Sequence, residues 1–204
     1  LSNNIITNHT MIQTQAAKKV LCVPLTHLVC QRMAGDDAQA FLQGQLSSDL
    51  RAVTTEACQY SSYSTPKGRM LASFLVLKDA AGYWLQTSRD IAPTVFKRLN
   101  MFILRSKVQS SSADVGALGL LGPDAAKTIQ DLWGVTLDAD QTVAAQADGL
   151  LLVRHGAEHY QIMGTAVLLE AAYARLQALS ILVGTQFWDA ADIQTGYARI
   201  SANT

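Results

Sequence analysis

Apolar residues at Ala38, Leu42, Leu46 and Leu50 fall four apart, which predicts a helix over residues 36–50 (DDAQAFLQGQLSSDL) with Asp36 or Asp37 at its cap. The run before it, LCVPLTHLVCQRM at 21–33, lacks that spacing and reads as one extended segment. Three strands follow at 58–64, 70–77 and 83–87, the last after a turn at Gly82. Helical spacing returns at Ile91, Val95, Leu99 and Phe102, predicting a helix over about 90–102 with Pro93 in its first turn. A second unit begins near residue 113. It holds a strand at 117–121, a helix opened by Pro123 and Asp124 and stopped by Gly134, a hairpin over 149–164 turning at Gly156, and a helix capped by Thr165. Strand, helix, strand, strand, helix is the ferredoxin-like order. Few helices and many hairpins favour an α+β protein, with antiparallel sheets and packed helices, over a doubly wound parallel sheet.

Composition narrows the function classes. A chain of 204 residues with 49% hydrophobic content can bury a sizeable core. Only 16% of its residues are charged, against roughly 25% in an average domain, and basic and acidic counts cancel at 16 each. That balance disfavours binding nucleic acid by bulk charge, and it implies apolar surface meant to meet something outside the chain. No run approaches the roughly 20 apolar residues of a membrane span, and LSNNIITNHTMIQTQAAKK has no signal-peptide pattern. The expectation is a cytoplasmic protein with a polar tail at 1–20, a folded domain at 21–204 and a subdomain boundary near 112–116. Cys22, Cys30 and Cys58 form no CxxC pair, so they fit buried thiols in a reducing compartment better than metal ligands.

Familiar catalytic motifs are missing: there is no GxGxxG, GxxxxGK[ST], HExxH or GxSxG. His155 and His159 stand four apart, but in a hairpin that spacing is not expected to align them for a metal. The most distinctive local feature is YSSYSTPKGRMLASFLVL at 60–77, where Pro66, Lys67, Gly68 and Arg69 make a basic hairpin turn.

Five segments in order, GDDAQAFLQGQLSSDL, CQYSSYSTPKGRMLASFLVL, LRSKVQ, LGLLGPDAA and FWDAADIQTGYARI, resemble the folate-binding proteins of the YgfZ type. Those proteins are relatives of the glycine cleavage T-protein, an aminomethyltransferase. The resemblance runs from about Pro24 to the end. It implies a T-protein-like fold that includes the ferredoxin-like unit, and tetrahydrofolate or a derivative in a central cavity. Trp188 matches a folate-associated tryptophan that would stack on a pterin, although core packing is the plain alternative. Tyr60 is divided between strand packing and lining that site. Lys67 and Arg69 would pair with the glutamate tail of folate, with Arg105 and Lys107 adding to the patch, unless all four are merely solvated charges.

Departures from the T-protein pattern matter as much. Ala72 and Ser73 stand where it has two aspartates, and Asp192-Ile193-Gln194-Thr195-Gly196 stands where it has Arg-x-Glu-Ala-Gly. The second folate-associated tryptophan of the YgfZ type would fall near Leu28 and is absent. Without the carboxylates, classical aminomethyl transfer is not expected. The resemblance instead implies a folate-binding accessory factor supporting iron-sulfur enzymes, including those that modify tRNA, with iron-sulfur proteins as partners. Neither nucleic acid nor membrane is expected to be bound directly. An aminomethyltransferase is the alternative, and a remnant with a purely binding or scaffold role is a third option. The family's downstream cysteine motif and C-terminal barrel lie beyond Thr204, so a fragment or truncated product is expected.

Overall fold

A computed structural model describes residues 20–146 and 148–204, so the expected tail at 1–20 lies almost wholly outside the described residues. Strands β1 (Val20–Pro24) and β2 (Leu28–Ala34) come first, followed by helix α1 (Ala38–Gln45). Next are β3 (Gln59–Ser64), β4 (Met70–Asp79), β5 (Gly82–Ser88), α2 (Ala92–Asn100) and β6 (Gln109–Ala113). The remaining elements are β7 (Gly116–Leu121), α3 (Ala125–Trp133), β8 (Val143–Ala145), β9 (Leu151–Gly156), β10 (His159–Gly164), α4 (Ala166–Leu176), β11 (Ser180–Leu182) and α5 (Gln186–Gln194). This is the expected α+β arrangement, and the described residues form two open sheets rather than a barrel.

One sheet has the order β3-β4-β5-β2-β6 and the other β11-β1-β7-β10-β9-β8. Laid side by side, β2-α1-β3-β4-β5-α2-β6 and β7-α3-β8-β9-β10-α4-β11 are the same motif twice, each with the ferredoxin-like core order. The second copy differs in one respect: β1 is inserted between β11 and β7, parallel to the first and antiparallel to the second. Expecting one extended segment at 21–33 therefore needs correction. Leu28 N–H donates to the Leu25 carbonyl in a tight turn, and the strands on either side join different sheets.

Alternation along β4 explains the layering. Ala72, Phe74 and Val76 pack beneath α1 and α2, whereas Leu75 and Leu77 point to the second sheet and meet Val23, Val153 and Met163. The second sheet covers its other face with Ala125 and Ile129 of α3 and Ala172 and Leu176 of α4. Four layers result, helix, sheet, sheet, helix, with an apolar seam between the sheets.

Helix α1 stops at Gln45, short of the expected residue 50, because the chain finds better partners on β3. Leu46 bridges Tyr63, Ser47 N–H donates to the Ser62 carbonyl, and the Asp49 carboxylate caps a 3-10 turn at Leu50–Ala52. Helix α3 ends as expected, with Gly134 in the left-handed region at φ 70°. The basic turn is a hairpin tip in which Gly68 N–H donates to the Thr65 carbonyl at 2.9 Å, with Gly68 at φ 81°. No helix among the described residues is long and apolar enough to cross a membrane.

Candidate functional site

Helix α5 wedges into one end of the seam between the sheets. Trp188 is 2% exposed, and Gly119 of β7 faces its ring so closely that a Cβ there would lie 2.3 Å from the indole. The rings of His159 and His155 meet it edge-on, with centroids 4.1 and 5.4 Å away. Trp188 thus occupies the core and offers no open face for a pterin, which corrects the stacking geometry expected of it.

Around Trp188 lies a buried polar network joining the two sheets. Tyr60 of β3 hydrogen-bonds His155 Nδ1, His155 Nε2 meets Gln161 Oε1 at 3.1 Å, and Gln161 Nε2 donates to Gln86 Oε1 at 3.1 Å. Since Gln161 Oε1 can only accept, His155 carries its proton on Nε2 and receives the Tyr60 hydroxyl at Nδ1. Burial first, and the neighbouring His159 second, push the His155 pKa down to about 3 and keep the ring neutral. Burial likewise raises the Tyr60 hydroxyl far above its ordinary value, so it stays a donor.

Asp192 of α5 is 3% exposed, and burial pushes its carboxyl up to about 6 against the pull of Arg199. Arg199 binds Asp192 Oδ2 and reaches Asp189 Oδ1 at 2.8 Å. The other oxygen of Asp192 faces His159 Nε2 at 3.8 Å. Neither that oxygen nor either His159 ring nitrogen has a hydrogen-bond partner among the described residues. Burial and Arg199 lower the His159 pKa to about 4.

The segment carrying Arg199 is strapped across the ends of β4 and β5. Ser73 Oγ accepts from Ile200 N–H at 3.0 Å, Ser88 Oγ donates to the Ile200 carbonyl at 2.7 Å, and Asp90 accepts from Ala202 N–H at 2.8 Å. Tyr197 of the same segment stacks on Tyr60 with centroids 3.8 Å apart. A cleft of about 670 Å³ opens here, within the size range of small-molecule sites. Its walls come from His27, Ser88, Arg89 and Asp90 on one side and from α5 and residues 197–201 on the other.

The expected site residues separate into three groups. Tyr60 sits behind Tyr197, one layer from the cleft, while Lys67 and Arg69 are exposed on the β3–β4 turn, at the same end of the sheet as Ser88. Arg105 and Lys107 do not join them. They precede Gln109, which pairs with Ala34 at the opposite end of the sheet, roughly 31 Å away at about 3.4 Å per residue along β4 from Met70 to Asp79. The sign of a charge does not say at which end of a strand it will emerge. His155, His159, Asp192, Tyr197, Arg199 and His27 were not singled out by motif. A hairpin with a register shift between His159 and Tyr160 brings the two histidine rings to 4.9 Å, against the expectation that their spacing would not align them. The spacing of Asp189 and Asp192, three apart on one helix face, was the usable signal for the acidic pair.

The family description GCVT N-terminal domain matches residues 4–147. The chain belongs to that family. Curated relatives of this GCVT-family protein include an uncharacterized protein of Haemophilus influenzae, 24% identical over 89% of this chain and 55% of its own length. Proteins named tRNA-modifying protein YgfZ follow, from Escherichia fergusonii (24% identity, 83% of this chain, 53% of that one) and Vibrio vulnificus (25%, 92% and 56%). The chain spans about half the length of these relatives. Among solved structures, the glycine cleavage system aminomethyltransferase T from Bartonella henselae superposes with a TM-score of 0.71 at 18% identity, over 84% of this chain and 50% of that one. A chain of the heterotetrameric sarcosine oxidase from Corynebacterium sp. U-96 gives 0.59 at 15% identity, over 95% and 96%. The GCVT-family protein shares the fold of both.

Folate, which this family implies, suits the donor set. A pterin presents adjacent N–H donors that a carboxylate such as that of Asp189 can accept, and the glutamate carboxylates of folate need cations such as Arg89, Lys67 and Arg69.

Proposed function

We propose that this protein binds a reduced folate in the cleft beside α5 and acts as an accessory factor to iron-sulfur enzymes, including enzymes that modify tRNA. The observation that carries it is a cleft of ligand size holding both acidic and basic side chains, in a GCVT-family chain whose relatives are named tRNA-modifying proteins. When bound, the folate supplies a one-carbon carrier. Asp189 accepts from its pterin edge, Tyr197 forms an apolar wall backed by Tyr60, and Arg89 faces its acidic tail. Trp188 fixes α5 rather than touching the ligand. Lys67 and Arg69 attract the tail from the adjoining hairpin.

Calorimetric titration with tetrahydrofolate tests this proposal. Arg89→Ala and Lys67→Ala are each expected to weaken binding about tenfold at low salt, the scale of one charge-assisted hydrogen bond, with the unfolding midpoint unchanged for Lys67→Ala and lowered for Arg89→Ala, whose guanidinium also donates to the Thr26 and Leu28 carbonyls. Wild-type protein without measurable affinity would overturn the proposal.

Turnover of the aminomethyltransferase kind is not expected. Ser73 Oγ is engaged with Ile200 N–H, and Ala72 is fully buried under α1 and α2, where an aspartate would be an unpaired charge. Incubation with tetrahydrofolate and an aminomethyl-lipoyl carrier protein is expected to release no ammonia above a no-enzyme control. Ammonia release would favour the transferase instead.

A further inference from the structure

The loop that carries Arg105 lies far from the cleft and has its own character. Met101, Phe102 and Leu104 are 59%, 44% and 86% exposed, three large apolar side chains within four residues. Between them Ile103 packs inward against the core under α2 and anchors the loop. The loop backbone is set by its own hydrogen bonds: Phe102 N–H to the Leu99 carbonyl, Ile103 N–H to Asn100, and Ser106 N–H to Ile103 at 2.8 Å. Leu104 has φ 43°, the one described non-glycine residue in the left-handed region. Glycine, asparagine or aspartate suits that position in a tight turn, and a leucine there gains no burial in return for its strain. The turn thus holds an apolar side chain out to solvent in a fixed geometry.

The charges around it are mostly basic. Arg98 lies over the Phe102 ring at 5.9 Å, and Arg105 and Lys107 flank Leu104. Asp36 and Asp37 are the acidic neighbours, both engaged by Lys107: its ammonium lies 3.7 Å from Asp36, and its N–H donates to Asp37 at 2.8 Å. A shallow hollow lined by Asp37, Phe102, Leu104, Arg105 and Ser106 lies beside the turn.

We propose that the 101–107 loop docks a protein partner that presents an apolar side chain within an acidic surface. The preformed turn supplies the apolar anchor with little ordering cost, and Arg98 and Arg105 supply the complementary charge. Three apolar side chains on one short turn, with α2 behind them already burying its apolar face, weigh against a membrane surface. The excess of aliphatic over aromatic side chains, with Phe102 already covered by Arg98, weighs against single-stranded RNA. The contact is small, so the complex is of the transient class.

The probe is a fluorescein-labelled peptide with a central Leu-Phe pair between two pairs of glutamates, titrated against the whole chain by anisotropy, with amide shifts followed by NMR. Saturable binding centred on residues 101–107 is expected, weakened at least fivefold by Leu104→Gly, by Arg105→Glu and by raised salt. Leu104→Gly also relieves the backbone strain, so its unfolding midpoint is expected to hold or rise, which separates lost docking from lost folding. Absence of peptide binding, binding unaffected by either variant, or a preference of this loop for phosphatidylglycerol vesicles or tRNA over the peptide would each overturn the proposal.

Discussion

Gly119→Ala is expected to destabilise the protein by about 3 kcal/mol, among the larger losses one methyl group can cause. Ordinary overpacking is relieved by a rotamer change, but Trp188 has no room to change. Its ring is held edge-on by His155 and His159, and an added Cβ would lie 2.3 and 2.4 Å from two ring carbons. The helix carrying Trp188 also brings Asp189 and Asp192 to the cleft, so displacing it opens the candidate site as well as the seam. Urea unfolding gives the measurement, with a lowered midpoint and an unchanged slope as the expected outcome. Trp188→Ala alone is expected to cost about 3 to 5 kcal/mol through the cavity it leaves. Gly119→Ala added to Trp188→Leu should cost far less than in the wild type, the coupling that direct contact produces. A Gly119→Ala protein of wild-type stability would mean that the indole does not sit against β7.

Acid should act on the buried network through three groups whose effects have opposite signs. His155 and His159 have folded pKa values of about 3 and 4, below the usual imidazole value of about 6.5. The unfolded chain therefore binds more protons at these sites, and their stabilisation is lost as pH falls from about 6.5 towards those values. Asp192, raised to about 6, works the other way: its contribution is full below about 4 and declines as pH rises through 6. Near pH 5 the two histidines outweigh the one carboxyl, so stability should rise with pH, on the order of 1 kcal/mol per unit. In a His155→Gln, His159→Gln protein the carboxyl acts alone, and the slope contributed by this cluster should reverse. Equal slopes for the two proteins between pH 4.5 and 6 would show that the cluster does not set the acid response.

How much of this was legible in the sequence depends on the range of the interaction responsible. Helix α2, the Gly134 cap and the Pro66–Arg69 turn follow from residues within one or two turns of each other, and periodicity finds them. Periodicity carries α1 past its true end because Leu46 keeps helical spacing while its backbone pairs with Tyr63, a tertiary preference that outweighs local propensity. Residue type leaves Trp188 open between core and ligand, and what places it in the core is a glycine on another strand, invisible to any local pattern. Counting along the chain separates His155 from His159, whereas the β9–β10 bulge decides which side chains share a face. In the sequence Asp192 stands out only as a mismatch to the T-protein pattern. Its raised pKa comes from burial under a strap fastened by Ser73 and Ser88, more than 100 residues earlier.

The insertion of β1 bears on the order in which the chain takes shape during synthesis. Every strand of the β3-β4-β5-β2-β6 sheet lies between Leu28 and Ala113, so that half has all its backbone partners once Ala113 has left the ribosome. Of the described strands β1 is made earliest and completed last: Leu21 waits for Leu121 on one side, and Val20 waits for Ser180 on the other. Closing loops of about 100 and 160 residues is slow and entropically costly compared with closing a hairpin. Until β11 arrives, β1 is an apolar edge strand on a nascent protein, with the sequence VLCVP exposed to whatever else in the cell can pair with it.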